Sequence, residues 1–326
     1  MGEQDLPELP VEPTRLLRMV HDGEVLGASR QLRVLGDCLV ALVEARDGDV
    51  IRLAADVAVI EDHVRRTRGA SSQAVSNGLA LMTQPVLVLA ATDASPDERL
   101  GEQILAAVAT FGAELTDWLL ALRGHATDLL STCRTVLVYD YSSTVSQAVR
   151  QLARSGRPLR VFVPEARSLD GGRKYLADWQ GLDLVVDLVP DSAVGWALDH
   201  CDAALAGAET LSSEGGCYNT IGTAVVAHEA GRRHVPFHVL SVLLKTHLGT
   251  AGSERPIPML DFLSLPHLAG RPEAPNTAKL GGAFPDLDYT APAAITSVVT
   301  ESGRLNAKEV AAAAASVLGN SVAARA

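Results

Sequence analysis

Aromatic residues are scarce, at 4% of 326 residues, so a core has to come from the smaller aliphatics within a 47% hydrophobic chain. The cysteines Cys38, Cys133, Cys201 and Cys217 are widely spaced and never form CxxC, so neither a disulfide framework nor a zinc site is expected. The nine histidines show no metal-ligand spacing such as HExxH, and no metal or other cofactor is expected. Positive charge is in deficit, with 28 Lys and Arg against 39 Asp and Glu for a net −11. That balance argues against a nucleic-acid partner, because such binding needs a cationic face to displace counterions. No apolar run reaches the ~18 residues of a membrane span, so no membrane partner is expected. The opening MGEQDLPELPVEP is acidic and proline-bearing, unlike the basic and then apolar start of a signal peptide. The expectation is a soluble, cytoplasmic protein that handles something small.

The length suits about two domains of ~150 residues. Residues 1–130 carry the helical period: Thr14 can cap a short helix, and Gln31 to Ala45 (QLRVLGDCLVALVEA) is apolar at three- and four-residue intervals. Val50 to Val64 and Gln73 to Met82 continue this. Ser95-Pro96-Asp97-Glu98 reads as the start of a long helix reaching about Leu130. From residue 131 to 326 the period changes. Short apolar runs at Thr135–Tyr139, Leu159–Val163, Leu182–Val189, Ala203–Ala206 and Phe237–Val242 alternate with helical stretches at 145–155, 172–179, 193–198 and 219–230. Continuous apolar strands between helices predict an α/β fold, with an N-terminal all-α domain followed by a Rossmann-like doubly wound parallel sheet. Residues 251–287, rich in Pro, Gly and Ser, read as irregular, and Ala307–Ala326 as an alanine-rich helix.

Ligands of open α/β sheets bind beyond the carboxyl ends of the strands. The first run is followed by Asp140-Tyr141-Ser142-Ser143-Thr144 at a helix start, where hydroxyls can cap free N–H groups and the same N–H groups can receive a phosphate. A carboxylate that ends a buried strand is costly unless paired or catalytic, which singles out Asp140. After the second run comes Glu165-Ala166-Arg167-Ser168-Leu169-Asp170-Gly171-Gly172-Arg173, whose charges suit an internal Glu–Arg brace. After the fourth come Gly207-Ala208-Glu209 and then Asn219-Thr220-Ile221-Gly222-Thr223, read as opening a helix. Lys245 follows the fifth run, and Arg65-Arg66-Thr67-Arg68-Gly69-Ala70 is a basic cluster in an acidic chain, of a kind that is more often a solvated face than a site.

Taken in order, these motifs resemble the initiation factor 2B α/β/δ subunit family, which includes methylthioribose-1-phosphate isomerase and ribose-1,5-bisphosphate isomerase. Arg68-Gly69-Ala70 is similar to the isomerases' substrate loop, and Glu165-Ala166-Arg167…Gly171 to their Glu-Ser/Thr-Arg-Pro…Gly, with Ser168 in place of the usual proline. Asp191-Ser192-Ala193 resembles Asp-Ser-Ala, and Gly207-Ala208-Glu209 through Thr223 resembles Gly-Ala-Asp…Asn-Lys-Ile-Gly-Thr. Lys245 falls where the family has a lysine, and Asp288-Tyr289-Thr290…Thr300-Glu301-Ser302-Gly303 is similar to its C-terminal motif. The departures fall on the chemistry. Asp140 stands where the isomerases place cysteine and the initiation-factor subunits usually glycine, Glu209 replaces an aspartate, and Thr220 replaces a lysine.

The resemblance implies an aldose–ketose isomerase acting on a phosphorylated pentose, with Asp140 and Glu209 as an altered acid/base pair. Arg68, Gly69, Ala70, Ser142, Ser143, Arg167, Asn219, Thr220 and Lys245 would bind the substrate. The rival reading, motivated by the missing cysteine and lysine, is a non-catalytic regulatory or assembly protein that senses a sugar phosphate or nucleotide. A nucleotide-exchange role in translation is a third. The resemblance further implies a homodimer or higher homo-oligomer.

Overall fold

The computed structural model describes residues 6–25, 27–249, 257–261, 265 and 282–323. Residue contacts divide the chain into two units: Met1–Trp118 with Leu243–Arg255 and Ala312–Ala326, and Leu119–Val242 with Pro256–Ala311. The division thus falls at Trp118, inside a helix, rather than at the expected residue 130. Two later segments also belong to the helical unit.

The helical unit contains α1 (Val11–His21), α2 (Ala28–Arg46), α3 (Val50–Arg66), α4 (Arg68–Ser71), α5 (Gln73–Met82), α6 (Gln84–Thr92) and most of α7 (Leu100–Leu129). Leu32, Leu35, Leu39 and Leu42 recur at three and four residues on α2 and are fully buried. Asp49 caps α3 by accepting the Arg52 N–H. The expected helix start at Ser95 moves to Leu100, because the Asp97 carboxylate takes the Arg99 N–H at 3.0 Å and holds that segment in a local turn. By length and composition α7 suffices to cross a membrane, although Glu114 and Asp117 interrupt its apolar run. Its buried positions Leu100, Ile104, Phe111, Leu115, Leu122 and Ala126 form one narrow stripe, as on a helix packed along a single face.

Segment Leu243–Lys245 is a single helical turn of this unit, with Leu243 and Leu244 buried. The Asn77 amide on α5 donates to the carbonyls of Leu244 at 2.8 Å and Thr246 at 3.0 Å. Gln73, one turn earlier, donates to the Asn77 carbonyl oxygen at 2.8 Å, which fixes the amide's orientation. Lys245 is held between the two anchored residues.

The sheet unit runs β1 (Thr135–Tyr139), α8 (Ser143–Arg154), β2 (Arg160–Pro164), α9 (Gly171–Asp178), β3 (Val185–Val189), α10 (Val194–Leu198), β4 (Ala203–Ala206), β5 (Thr210–Ser212), β6 (Cys217–Thr220), α11 (Thr223–Arg232) and β7 (Phe237–Leu240). Strands Ser297–Thr300 and Gly303–Leu305 follow, and then the start of α12 (Ala307–Ala323), which from Ala312 onward is counted with the helical unit. Spatial order is Gly303–Leu305, Ser297–Thr300, β7, β4, β1, β2, β3, parallel throughout except for the antiparallel first pair. This is the expected doubly wound sheet. Strand β4 is buried along its whole length and α8 buries Val145, Ala148, Val149 and Leu152 on one face, as covered parallel strands require. The chain winds β1 to β3 in one direction and from β4 onward in the other, so the topological switch lies between β1 and β4.

Two expectations fail locally. Asn219 and Thr220 do not open a helix; they end β6, which pairs antiparallel with β5 and with Leu287–Thr290. Tyr218 and Tyr289, directly opposite each other with ring centroids 4.9 Å apart, supply a cross-strand pair that a helix would forgo. Within 251–287, Met259–Asp261 pairs antiparallel with Ala283–Pro285, so that stretch is not wholly irregular; its other residues to 281, apart from 257, 258 and 265, lie outside the described ones.

Replacing Asn77 by Ala leaves two buried carbonyls without their donor, at a cost of about 1–3 kcal/mol for each group left unsatisfied. Asn77→Ala is therefore expected to lower the thermal midpoint clearly in calorimetry, and unchanged melting would contradict this anchoring role.

Candidate functional site

Strand β1 ends in Tyr139, whose hydroxyl donates to the Ile221 carbonyl at 2.8 Å. Asp140 follows with φ +53°, a left-handed backbone that Asp tolerates better than most residues. The residue is 9% exposed, and its Oδ2 accepts the Thr220 hydroxyl at 2.6 Å. Two hydrogen bonds therefore tie the end of β1 to the end of β6. They bring into contact two of the residues that depart from the resembled pattern, Asp140 and Thr220.

The backbone around Asp140 is equally constrained. Buried Tyr175 on α9 donates its hydroxyl to the Asp140 carbonyl at 2.8 Å and accepts the Ser142 N–H at 3.0 Å. Ser142 caps α8 through Val145 N–H, and Ser143 is the first helical residue. Close approach needs glycine at two places. A Cβ on Gly171 would lie 1.9 Å from Asp140 Oδ1, and one on Gly207, after β4, 2.7 Å from Ser142 Oγ.

Burial pushes the Asp140 carboxyl above the ordinary carboxylate range, and the negative charge of Glu209 pushes the same way. The Thr220 hydroxyl, the Tyr141 N–H and the Lys174 ammonium oppose that rise. Asp286, just before strand Leu287–Thr290, is half-buried and also raised, by burial first and then by the charges of Asp140 and Glu209. Its Oδ1 is buried without a hydrogen-bond partner among the described residues. Three carboxylates thus share one field at the switch point.

Other residues singled out from the sequence distribute as follows. Arg167 sits on an exposed loop with Nη1 3.4 Å from Glu165 Oε1, a loose form of the expected brace. Both oxygens of Asp191 accept backbone N–H groups of that loop, from Ala166 and Arg167, each at 2.9 Å, which explains the Asp-Ser-Ala motif as a latch. Asn219 is buried and donates to Thr223 Oγ1 at 3.0 Å, bracing the turn into α11. Asp288 accepts the Gly222 and Ala224 N–H groups and caps α11. Arg68, Gly69, Ala70 and Lys245 belong to the helical unit, where Arg68 Nε donates to Gln31 Oε1 at 2.9 Å. The sheet unit by itself therefore brings together Asp140, Thr220, Ser142 and the field of Glu209. Sequence reading missed Lys174 and Asp286. Lys174 carries no motif signal beyond following Gly171-Gly172-Arg173, and Asp286 lies two residues before a motif that drew attention to Asp288.

Residues 29–307 match the Initiation factor 2 subunit family. The chain belongs to that family. Translation initiation factor eIF2B subunit alpha of Caenorhabditis elegans is 30% identical over 175 residues, 54% of this chain and 55% of that protein. Methylthioribose-1-phosphate isomerase of Thermosipho melanesiensis is 31% identical over 201 residues, 56% of each. The chain thus spans about half the length of the curated relatives it matches. Solved folds agree across both branches. A 5-methylthioribose 1-phosphate isomerase from Pyrococcus horikoshii superposes with a TM-score of 0.73 at 18% identity, covering 94% of this chain and 88% of that one. The translation initiation factor eIF-2B from the same organism gives 0.72 at 16% identity, covering 91% and 98%. The family holds isomerases and initiation-factor subunits alike.

A raised Asp140 binds its proton more tightly folded than unfolded, so its contribution to stability is present at low pH. That contribution is lost as pH rises from the ordinary aspartate value, ~3.9, through the folded one. Asp140→Asn, which keeps an acceptor for Thr220, is expected to melt higher than the wild type at pH 8, with the gap closing toward pH 4. A gap that widens on acidification would contradict the assignment.

Proposed function

We propose that the protein is an aldose–ketose isomerase-type enzyme acting on a phosphorylated pentose. The observation that carries this reading is the buried Asp140 carboxyl, hydrogen-bonded to Thr220 and facing the charge of Glu209 at the topological switch point. Interconversion of a pentose 1-phosphate breaks the ring bond from C1 to O4, moves one hydrogen from C2 to C1 and one proton from O2 to O4, and leaves the phosphate on O1, with no net change of oxidation state. One carboxylate takes the C2 proton as the ring oxygen leaves C1 and is protonated, giving an enol that keeps its phosphate on O1; a protonated carboxyl then returns a proton to C1 as O2 loses its own. Burial suits Asp140 to hold the proton and leaves Glu209 as the base. The Ser142–Ser143 end of α8 and Arg167 supply donors on the sheet unit.

The rival reading is a non-catalytic subunit that only binds such a ligand. It draws on the similarity to initiation-factor subunits and on the absence of cysteine at 140 and lysine at 220. A homodimer fits either reading. Strand β3, at the sheet edge, exposes Val185 (59%), and α10 exposes Trp196 (54%), which packs edge-on to Phe162 of β2. Solution mass should give two chains, and Trp196→Asp should shift it toward one.

The decisive assay is turnover of a panel of pentose 1-phosphates, methylthioribose 1-phosphate and ribose 1,5-bisphosphate included, followed by proton NMR in deuterated water. The expected result is a ketose product that carries deuterium at C1. Asp140→Asn and Glu209→Gln should each lower the rate by about 10²–10⁴-fold while calorimetry still detects binding. Binding with no turnover by the wild type would establish the rival instead.

A further inference from the structure

At the opposite, amino-terminal edge of the sheet lies a cavity of about 310 Å³, within the size range of small-molecule sites. It lies where β1, β4 and β7 begin, against the last residues of α7. Leu129, Leu130, Ala203 and Pro236 give it an apolar wall. The pairing register puts His238 of β7 opposite Ser297 and opposite Leu205 of β4, and Arg304 opposite Val299. Because side chains alternate along a strand, His238, Ala203 and Arg304 share one face of the sheet, and all three line the cavity.

Its polar groups are unusual in being committed on one side only. His238 is 3% exposed and bonds Ser297 Oγ through Nδ1 at 2.8 Å, while Nε2 has no partner among the described residues. Burial, with the Arg304 charge, pushes its imidazole down to about 4, so the ring is neutral at physiological pH. Arg304 enters no ion pair among the described residues. Asp202 fixes one oxygen, Oδ2, on the Arg134 and Thr135 N–H groups at 2.7 and 2.9 Å, and its Oδ1 is used by no described residue. The carboxyl end of α7, which has no basic residue in its last turn, adds negative potential beside Leu129.

We propose that this cavity binds a small α-amino acid with an apolar side chain, its carboxylate on Arg304 and His238 and its ammonium toward Asp202. A plain carboxylic acid would set its charge against Asp202, and a plain amine would leave Arg304 and His238 unmatched. The zwitterion satisfies both ends, and its side chain covers the apolar wall. The site stands apart from Asp140 and does not depend on the isomerase reading.

Thermal shift and calorimetry on the full chain test it, with leucine, valine and phenylalanine as probes at up to 10 mM. The controls are 4-methylpentanoate and 3-methylbutylamine, which lack the ammonium and the carboxylate of leucine respectively. At least one amino acid is expected to bind and raise the melting temperature, with both controls at least tenfold weaker. Arg304→Gln, on an exposed strand, should weaken amino-acid binding at least tenfold without lowering the unliganded melting temperature. Bound amino acid should also slow alkylation of Cys133, which lines the same cavity. No binding by any of the three amino acids, equal binding of the carboxylate control, or full affinity in Arg304→Gln would overturn the proposal.

Discussion

The hydrogen bond from Thr220 to Asp140 is the constraint around which the sheet unit is arranged. A carboxylate that ends a buried central strand is expensive to ionise and expensive to leave unpaired. Here it gains one short hydrogen bond from a neutral donor rather than a salt bridge. The result is a group held firmly in place while its ionisation remains disfavoured. A lysine in place of Thr220 would have fixed the charge; threonine fixes the geometry and leaves the proton negotiable.

Much of the surrounding structure keeps that geometry rigid. Tyr139 and Tyr175 clamp the backbone on either side of Asp140, and Gly171 and Gly207 leave room for the approach. Asp288 caps α11 immediately after the strand that carries Thr220, so the hairpin and the helix are positioned together. Asp191 does the same for the Arg167 loop. Most motif residues thus hold loops and helix ends in place, and a smaller set faces the buried carboxyl.

The doubly wound sheet was legible because its strands are continuous apolar runs, and the helix faces because their leucines recur at helical spacing. The position of Asp140 followed from the same pattern. Elements set by long-range pairing were not legible. Thr220 looks helical beside Gly222 and Thr223, yet the Tyr218–Tyr289 contact across about seventy positions of chain makes it strand. The start of α7 was misplaced because Asp97 uses its carboxylate on its own neighbour. The return of a segment from beyond residue 240 to the helical unit was not legible, because it rests on the Asn77 amide of α5 binding carbonyls far along the chain. Asp286 and Lys174 escaped notice because their importance is electrostatic and exists only after folding.

The family relation and the site chemistry answer different questions. Membership fixes the architecture, since solved folds of both branches superpose equally well on this chain. Two of the residues that differ, Asp140 and Thr220, touch each other, which is how a paired change in chemistry would look. The most direct measurement is a carbon-13 NMR titration of the Asp140 carboxyl in the wild type and in Thr220→Val. The account predicts a wild-type midpoint above the ordinary aspartate value of ~3.9 and a higher one still when the hydroxyl is removed. A wild-type midpoint at or below that value, or no response to Thr220→Val, would contradict it.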